Sequence, residues 1–522
     1  MRPARDAGRL EQAVLRKLLV ANRGEIAVRI LRACRELGIR SVAIYSDADR
    51  TAAHVRYADE AYCVGPAPAA ESYLNIERIV SLAKESGAEA VHPGYGFLSE
   101  NARFAEACSQ AGITFVGPPA SAIRMLGDKI EARRRAGQAG VPVVPGSAEI
   151  RDVDEAERIG TQIGYPVVIK AAGGGGGRGI REVDTPSAFR RAFETARQEA
   201  LTAFGNDALY VEKLIRPVRH IEVQIIADRF GNVVALGERE CSIQRRHQKI
   251  IEECPSPFVD PLLRHRLFDA AVRAALSANY VNIGTVEFLV DADRNFYFLE
   301  MNTRLQVEHP VTELVAGVDL VADQIRVAAG EALPYSQHVV NLRGWAIECR
   351  IVAEDPASNL PSVGRVEFAR EPAGPGVRVE SALHDGMEVS VYYDPLVAKV
   401  TAWGRDRMEA IRRMRRALSE FKIVGVRTNI PFHMRVMEDP FFRAGQVDTS
   451  FIDRDFQAEY QAPEVDRLAA LITAAVLLRH SAGPVAVEGG AAPAAGSRWR
   501  KARLVAPATP QARIWAWHNG TS

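Results

Sequence analysis

Several features that would settle a protein's class at once are missing from this 522-residue sequence. Lysine and arginine (66) balance aspartate and glutamate (65), leaving a formal charge of +1. No overall field therefore attracts nucleic acid or an anionic membrane. The cysteines, Cys34, Cys63, Cys108, Cys241, Cys254 and Cys349, are scattered, with no C-x-x-C pair and no zinc spacing. Reduced thiols in a cytoplasmic protein are the expectation. No apolar run approaches the ~20 residues needed to span a bilayer. Residues 1–16 lack the apolar core of a secretory signal, and Asp6 and Glu11 break the acid-poor pattern of a transit peptide. There is no G-x-x-x-x-G-K-[ST], so a nucleotide site here is not of the P-loop kind. Internal repeats are absent. What remains is ordinary globular material, 47% hydrophobic and 25% charged, enough for about three domains.

The most unusual stretch is Tyr165-Pro-Val-Val-Ile-Lys170-Ala-Ala-Gly173, continuing through Gly174, Gly175, Gly176 and Gly177 to Arg178-Gly179-Ile180. An apolar strand runs into a lysine, five glycines and an arginine, and a second strand-like run follows. Glycines at such a place offer backbone N–H groups that approach an anion closely. The short length and apolar flanks argue against a flexible linker. The formal G-x-G-x-x-G match at Gly174, Gly176 and Gly179 is discounted, because any glycine run produces it and no helix follows. The stretch predicts a strand–loop–strand flap that closes over a triphosphate.

Before the flap, residues 17–21 read as a strand, 25–37 as a helix with Ile26, Ile30, Cys34 and Leu37 on one face, and 41–45 as a strand. This spacing marks a parallel βαβ unit. Helices at 76–86 and 102–111 and strands at 90–92 and 114–116 extend it into an α/β domain. The loop 92–101 follows a strand end, where open α/β sheets bind ligands. A helix from Gly127-Asp-Lys129 to Gln138 and a Pro-rich connection lead to a small lobe. That lobe holds the flap and closes with a strand at 209–213, where Glu212 is a candidate ligand contact.

Strands are predicted at 220–226 and 233–238. The basic run Gln244-Arg-Arg-His-Gln-Lys249 follows, without the interleaved aromatics that stack bases. It suits an anionic small substrate. Two further strands, 285–290 and 296–301, flank a turn and fold as a hairpin that sets Glu287 opposite Glu300 or one step off. Facing carboxylates repel, and a divalent cation between them resolves the conflict. All-oxygen ligands suit Mg²⁺ or Mn²⁺. Continued at period 2, the face of Glu300 carries Asn302, Arg304, Gln306 and Glu308. A third, α+β domain starts near Gly344, with strands at 344–351, 366–369, 376–380 and 396–403 and a helix at 407–418. Beyond Tyr460 come an apolar helix at 466–479, an Ala/Gly/Pro-rich linker at 481–497, and Trp499, Trp515 and Trp517, a candidate docking segment for a partner.

Taken together, Ala21-Asn-Arg-Gly-Glu25, His92-Pro-Gly-Tyr-Gly96, the flap, Gln244 to Lys249 and Glu300-Met-Asn-Thr-Arg-Leu-Gln-Val-Glu-His309 closely resemble biotin carboxylase, the ATP-grasp component of biotin-dependent carboxylases. The likeness spans about residues 17 to 458. It implies an arm at 1–16, a Rossmann-like parallel-sheet domain at 17–130 and an ATP-grasp domain at 131–330 with a mobile glycine-rich lid lobe at about 143–215. A C-terminal α+β domain at 335–458 and an extension at 461–522 complete it. The resemblance implies ATP contacts at Lys129, Lys170, Gly176, Gly177, Glu212, Lys213, Ile215, His220, Gln244, His247, Glu287 and Glu300. Metal ligands would be Glu287, Glu300 and Asn302. Bicarbonate and biotin would be held by Lys249, Arg304, Gln306, Val307 through its backbone, and Arg350. Glu308 would be the base that deprotonates bicarbonate. The implied partners are a separate biotin carboxyl carrier protein, since no Met-Lys-Met segment occurs in the sequence, a second copy of the chain, and a carboxyltransferase subunit. Ser358-Asn-Leu-Pro-Ser-Val-Gly364 departs from the family's usual Phe-Leu-Pro-Ser-Pro-Gly, which bears on biotin or dimer contacts more than on ATP. Acetyl-CoA, propionyl-CoA and pyruvate all stay open as final acceptors. Two alternatives stand beside this one: another ATP-grasp ligase that forms an amide through an acyl phosphate, and a catalytically inert assembly subunit.

Overall fold

The strand–helix alternation of the first 120 residues closes into one parallel sheet. The structure is a computed structural model that describes residues 15–172 and 179–455. Strands β1 (Lys17–Val20), β2 (Arg40–Ser46), β3 (Glu60–Gly65), β4 (Ala90–His92) and β5 (Thr114–Phe115) lie in the order β3-β2-β1-β4-β5. All neighbours are parallel. The edge strand β3 is the one the sequence pattern does not announce. Its residues Glu-Ala-Tyr-Cys-Val-Gly mix polar and small groups, and most are half-buried. Helix Gly24–Glu36 buries Ile26, Ile30 and Cys34, as its period requires. The side-chain amide of Asn22, at the end of β1, donates to the carbonyls of Pro93 (2.6 Å) and Tyr95 (2.8 Å), tying the loop after β4 to the first turn.

Next come β6 (Val167–Ala171), β7 (Ile180–Val183) and β8 (Leu209–Lys213), a small antiparallel sheet in the order β7-β6-β8. The predicted flap falls between β6 and β7, so Gly176 and Gly177 lie outside the described residues. Helices Val153–Ile163 and Pro186–Phe204 cover one face of this sheet, with Phe189 and Phe193 fully buried there.

The largest element is a sheet of eight antiparallel strands. They are β9 (Val218–Ala227), β10 (Val233–Arg245), β11 (Gln248–Cys254), β12 (Asn282–Asp291), β13 (Phe296–Asn302) and β14 (Trp345–Val352), followed by β17 (Val377–Ser381) and β19 (Leu396–Gly404). Two short pairs sit beside it, β15 (Gly364–Arg365) with β18 (Glu388–Val389) and β16 (Phe368–Arg370) with β20 (Lys422–Val424). The sheet order is β13-β12-β9-β10-β11-β14-β19-β17. Of the strands after Gly344, β14, β17 and β19 therefore continue the preceding sheet through β11. β10 runs on to Arg245, well past the expected end at Glu238. A bulge at Gly237 shifts its register there and breaks the simple alternation.

One face of this sheet is apolar and the other carries charge across its width. Ile221, Val223 and Ile225 of β9, with Val286 and Phe288 of β12, pack on helix Pro261–Ser277. On the other face, the register aligns Glu300, Glu287, Glu222 and Arg239 across β13, β12, β9 and β10. Further along, Arg350, Lys399 and Glu380 lie side by side on β14, β19 and β17, and Glu252 pairs with Glu348 across β11 and β14. Buried charge is tolerated only when paired and hydrogen-bonded, and these groups pair along the sheet. Arg239 is fully buried and forms an ion pair with Glu222; it donates to Gln224 (2.7 Å), Thr312 (2.9 Å) and Thr285 (3.1 Å).

Two outcomes are expected. Arg239→Met leaves the Glu222 carboxylate short of a cation and Gln224 and Thr285 short of a donor. It should lower stability by about 3–5 kcal/mol, as seen in chemical denaturation. The second concerns Glu25 and Glu252, both buried. Burial pushes each carboxyl up to about 7, with Lys399 (on Glu25) and Arg350 (on Glu252) only partly offsetting it. A carboxyl whose pKa rises on folding favours the fold while protonated. Its contribution is complete below the ordinary glutamate range and is lost as pH climbs through about 7. The thermal midpoint should therefore fall between about pH 5 and about pH 8, and E25Q/E252Q should flatten that slope. An unchanged slope in the double variant would assign the loss to other groups.

Candidate active site

The polar face of the eight-stranded sheet is roofed by residues 303–308 and the helix His309–Ala316, and the charged groups converge beneath this roof. The expected hairpin is present, with Glu287 directly opposite Glu300. The period-2 continuation is not. β13 ends at Asn302, the chain turns, and the helix begins at His309 with Glu308 at its cap. Pro310 sits in the first turn of that helix, a position its fixed φ favours. The turn still gathers the same side chains. Asn302 Nδ2 donates to Glu287 Oε1 (2.8 Å). Arg304 donates to Gln306 Oε1 (2.9 Å) and to Asn302 Oδ1 (3.3 Å). Glu308 swings back under the roof and is fully buried.

Lys249 is the hub. Its ammonium ion-pairs with Glu222 and lies 2.8 Å from Glu287 Oε1 and 2.8 Å from Glu308 Oε1. It reaches these positions because the turn of the β10–β11 hairpin is tight. Arg246 and His247 both adopt left-handed backbone (φ +52° and +62°), the geometry a two-residue turn demands, so Gln244 pairs with Lys249. Arg350 completes the grip on Glu308. Its Nη2 donates to Glu308 Oε2 (2.9 Å) and its Nε to Glu252 Oε1 (2.6 Å). Each oxygen of Glu308 therefore meets a cation.

The electrostatics follow from these contacts. Burial alone would push the Glu308 carboxyl up, but Lys249 and Arg350 more than offset it and hold it well below the usual carboxylate range. Glu287 is treated likewise. Lys249 and His220 outweigh burial, with His220 Nε2 2.9 Å from Glu287 Oε2. Burial acts against the charge on Lys249, and Glu222, Glu287 and Glu308 together raise its pKa well above the ordinary lysine value. Lys249, Glu287 and Glu308 are thus held ionised, whereas at Glu222 burial outweighs Arg239 and Lys249 and pushes the carboxyl up.

A second cluster lies toward the small lobe. Lys170 Nζ is 2.6 Å from Glu212 Oε2, whose other oxygen takes Arg133 at 2.9 Å. Lys129 Nζ, 2.9 Å from Glu300 Oε2, sits between the two clusters. Gln244 Nε2 bonds the His220 ring at 2.9 Å. Three anticipated residues stand apart. Lys213 donates to the carbonyls of Gly164 (2.9 Å) and Tyr165 (3.1 Å), His247 is exposed at the hairpin tip, and Ile215 is half-buried beyond β8.

Glu287, Glu300 and Asn302 offer oxygen donors from neighbouring strands, with Glu300 half-exposed, and this donor chemistry fits a hard divalent cation. The other buried acidic groupings, such as His309, Glu313 and Glu380, already enclose Arg29, Arg378 and Lys399. Glu222, Arg239, Glu252 and Glu100 contact the candidate site residues and were not singled out by the sequence. Glu100 accepts from Arg304 Nε at 2.9 Å and from the Thr303 amide at 3.1 Å. A signal existed for Glu222, since His220, Glu222 and Gln224 alternate with Ile221, Val223 and Ile225.

Comparison with known proteins accords with this arrangement. Three family models match in chain order: the biotin carboxylase N-terminal domain over residues 14–123, the ATP-binding domain of the carbamoyl-phosphate synthase L chain over 128–336, and the biotin carboxylase C-terminal domain over 348–454. Biotin carboxylase 1 of Bacillus subtilis is 54% identical over 443 residues, covering 84% of this chain and 98% of that one. The propionyl-CoA carboxylase alpha chain of Ruegeria pomeroyi is 48% identical over 488 residues, covering 89% of this chain and 72% of that one. Among solved structures, the biotin carboxylase domain dimer of 2-oxoglutarate carboxylase from Hydrogenobacter thermophilus, in complex with MgADP, ADP and bicarbonate, superposes with a TM-score of 0.81. It is 50% identical, covering 84% of this chain and 97% of that one. With family models in order along the chain and a relative matched over nearly its full length at 54% identity, the chain belongs to the biotin carboxylase family.

Proposed function

We propose that this chain uses ATP to carboxylate biotin with bicarbonate, and that Glu308 is the base that begins the reaction. The observation that carries the assignment is the buried Glu308 carboxylate, held ionised by Lys249 on one oxygen and Arg350 on the other. A base at this spot must stay deprotonated in a water-poor pocket, and the two cations achieve that. They also bring positive charge to the place where a small anion would sit. Lys249, Arg304, Gln306 and the backbone of Val307 hold bicarbonate there. Glu308 takes its proton, and the resulting dianion attacks the γ-phosphorus of ATP. The O–P bond forms as the bridging bond to ADP breaks. Such a transfer depends mainly on positioning and charge compensation. Lys129, Lys170 and Glu212 form the polar lining toward the nucleotide, with Lys213, Ile215, His220, Gln244, His247, Gly176 and Gly177 assigned to the same substrate. Glu287, Glu300 and Asn302 would hold Mg²⁺ or Mn²⁺, which when bound compensates charge on the phosphates.

The carboxyphosphate formed breaks down to CO₂ and phosphate, and the phosphate removes the N1′ proton of biotin. The freed nitrogen attacks CO₂. Arg350, beside Glu308, stabilises negative charge developing on the ureido oxygen. Biotin is presented on a separate carrier protein, and a carboxyltransferase subunit selects the final acceptor, an acyl-CoA or pyruvate. A homodimer in the cytoplasm completes the proposal. Its solved relative from Hydrogenobacter thermophilus is itself described as a dimer.

The test uses the full chain with MgATP and free biotin. ADP release should require bicarbonate and rise with biotin. Glu308→Gln should lower kcat by about 100-fold or more while leaving ATP binding intact. ATP hydrolysis that ignores bicarbonate, or that depends on an amine, would falsify the assignment.

A further inference from the structure

Lys399 has no part in the chemistry above, yet it is a fully buried lysine in the apolar strand Leu396-Val-Ala-Lys-Val-Thr-Ala-Trp403. Register sets it directly beside Arg350 on β14 and Glu380 on β17. Its ammonium donates to the carbonyl oxygen of Val307 at 2.7 Å and lies 2.8 Å from Glu380 Oε2 and 3.5 Å from Glu25 Oε2. The Val307 carbonyl needs such a donor. Val307 precedes the helix cap Glu308, so no helical amide points to its carbonyl; the Val311 amide goes to Glu308 O (3.4 Å).

We propose that Lys399 is a positioning residue for the base: it fixes the main chain of Val307-Glu308 while Arg350, on the adjacent strand, fixes the Glu308 carboxylate. The proposal rests on the assignment of Glu308 as the base. Two neighbouring strands thus hold one dipeptide at two points, the peptide carbonyl and the side-chain carboxylate. With both points held, Glu308 can neither rotate away from Lys249 nor slide along the sheet. A role confined to neutralising Glu380 does not account for this placement. Glu380 already forms an ion pair with Arg378 and lies 3.4 Å from Arg29. Burial works against the Lys399 charge, and Glu25, Glu380 and Glu348 outweigh it, so the donor keeps its full set of protons across the neutral range.

The experiment is steady-state kinetics of the full chain with free biotin, varying bicarbonate and ATP separately. K399M should lower kcat/KM for bicarbonate by about 100-fold, the scale of a small misplacement of a reacting group, and leave the KM for ATP unchanged. K399R, which keeps a cationic donor, should recover part of the loss. Wild-type bicarbonate kinetics in K399M would overturn the proposal. So would equal losses for ATP and bicarbonate with no recovery in K399R, the pattern of simple structural support. Should K399M fail to fold, K399M/E380Q removes opposite charges together and is read by the same criteria. Wild type and E308Q run alongside keep the two assignments apart. A wild type without bicarbonate dependence overturns the function itself. An impaired E308Q beside an unaffected K399M overturns only the positioning role.

Discussion

Everything in this site depends on placing one ammonium group among three buried carboxylates. Lys249 touches Glu222, Glu287 and Glu308, which come from β9, β12 and the cap of the helix after β13. A lone buried lysine would surrender its proton, and three buried glutamates would take protons up. Together, Lys249, Glu287 and Glu308 stay charged because ammonium and carboxylates offset one another's desolvation, while burial still pushes the Glu222 carboxyl up. Arg239 behind Glu222 and Arg350 behind Glu308 extend the compensation outward. The geometry is therefore over-determined: no member can relax without stranding a charge on its neighbour.

Much of this was legible in the residues. Hairpin length and alternation put Glu287 opposite Glu300 or one step off, and the structure has the two directly opposite. The parallel sheet followed from the spacing of apolar runs. What escaped had physical reasons. The row after Glu300 read as one strand face because its polar residues alternate, yet β13 ends at Asn302 and the chain turns into the helix at His309. The same residues meet by a different route. β10 read as ending at Glu238 because the Gly237 bulge shifts its phase, which hid Arg239. Lys399 and Glu252 went unnoticed because their partners lie 92 and 98 residues away in the chain, at Val307 and Arg350. Local periodicity carries no information at that range.

The two halves of the site also differ in how they are built. Around Lys249 the groups sit on strands of one large sheet, so their spacing is that of the hydrogen-bond ladder. Lys170 and Glu212 belong to a separate small sheet, β7-β6-β8, with its own core around Phe189 and Phe193. On the proposed assignment the base is held by the large sheet, whereas Lys170 and Glu212 ride on a lobe with an independent core. Such a division suits a reaction in which the base must not move and the cover over ATP must.

The continuity of the eight-stranded sheet has a consequence for how this chain can be cut or recombined. The family models leave a gap between residues 336 and 348, an inviting place for a fragment boundary. That gap runs into the start of β14, which pairs through Ala346–Cys349 with β11 on one side and through Trp345–Val352 with β19 on the other. A fragment ending there would bare the edge of β11 as an open template for aggregation. The removed piece would carry Arg350 and Lys399 away from Glu308. Chimeras between relatives would have to preserve the Glu252–Glu348 register as strictly as any catalytic residue, because a slip of one position would turn the charged face of half the sheet into the oily core.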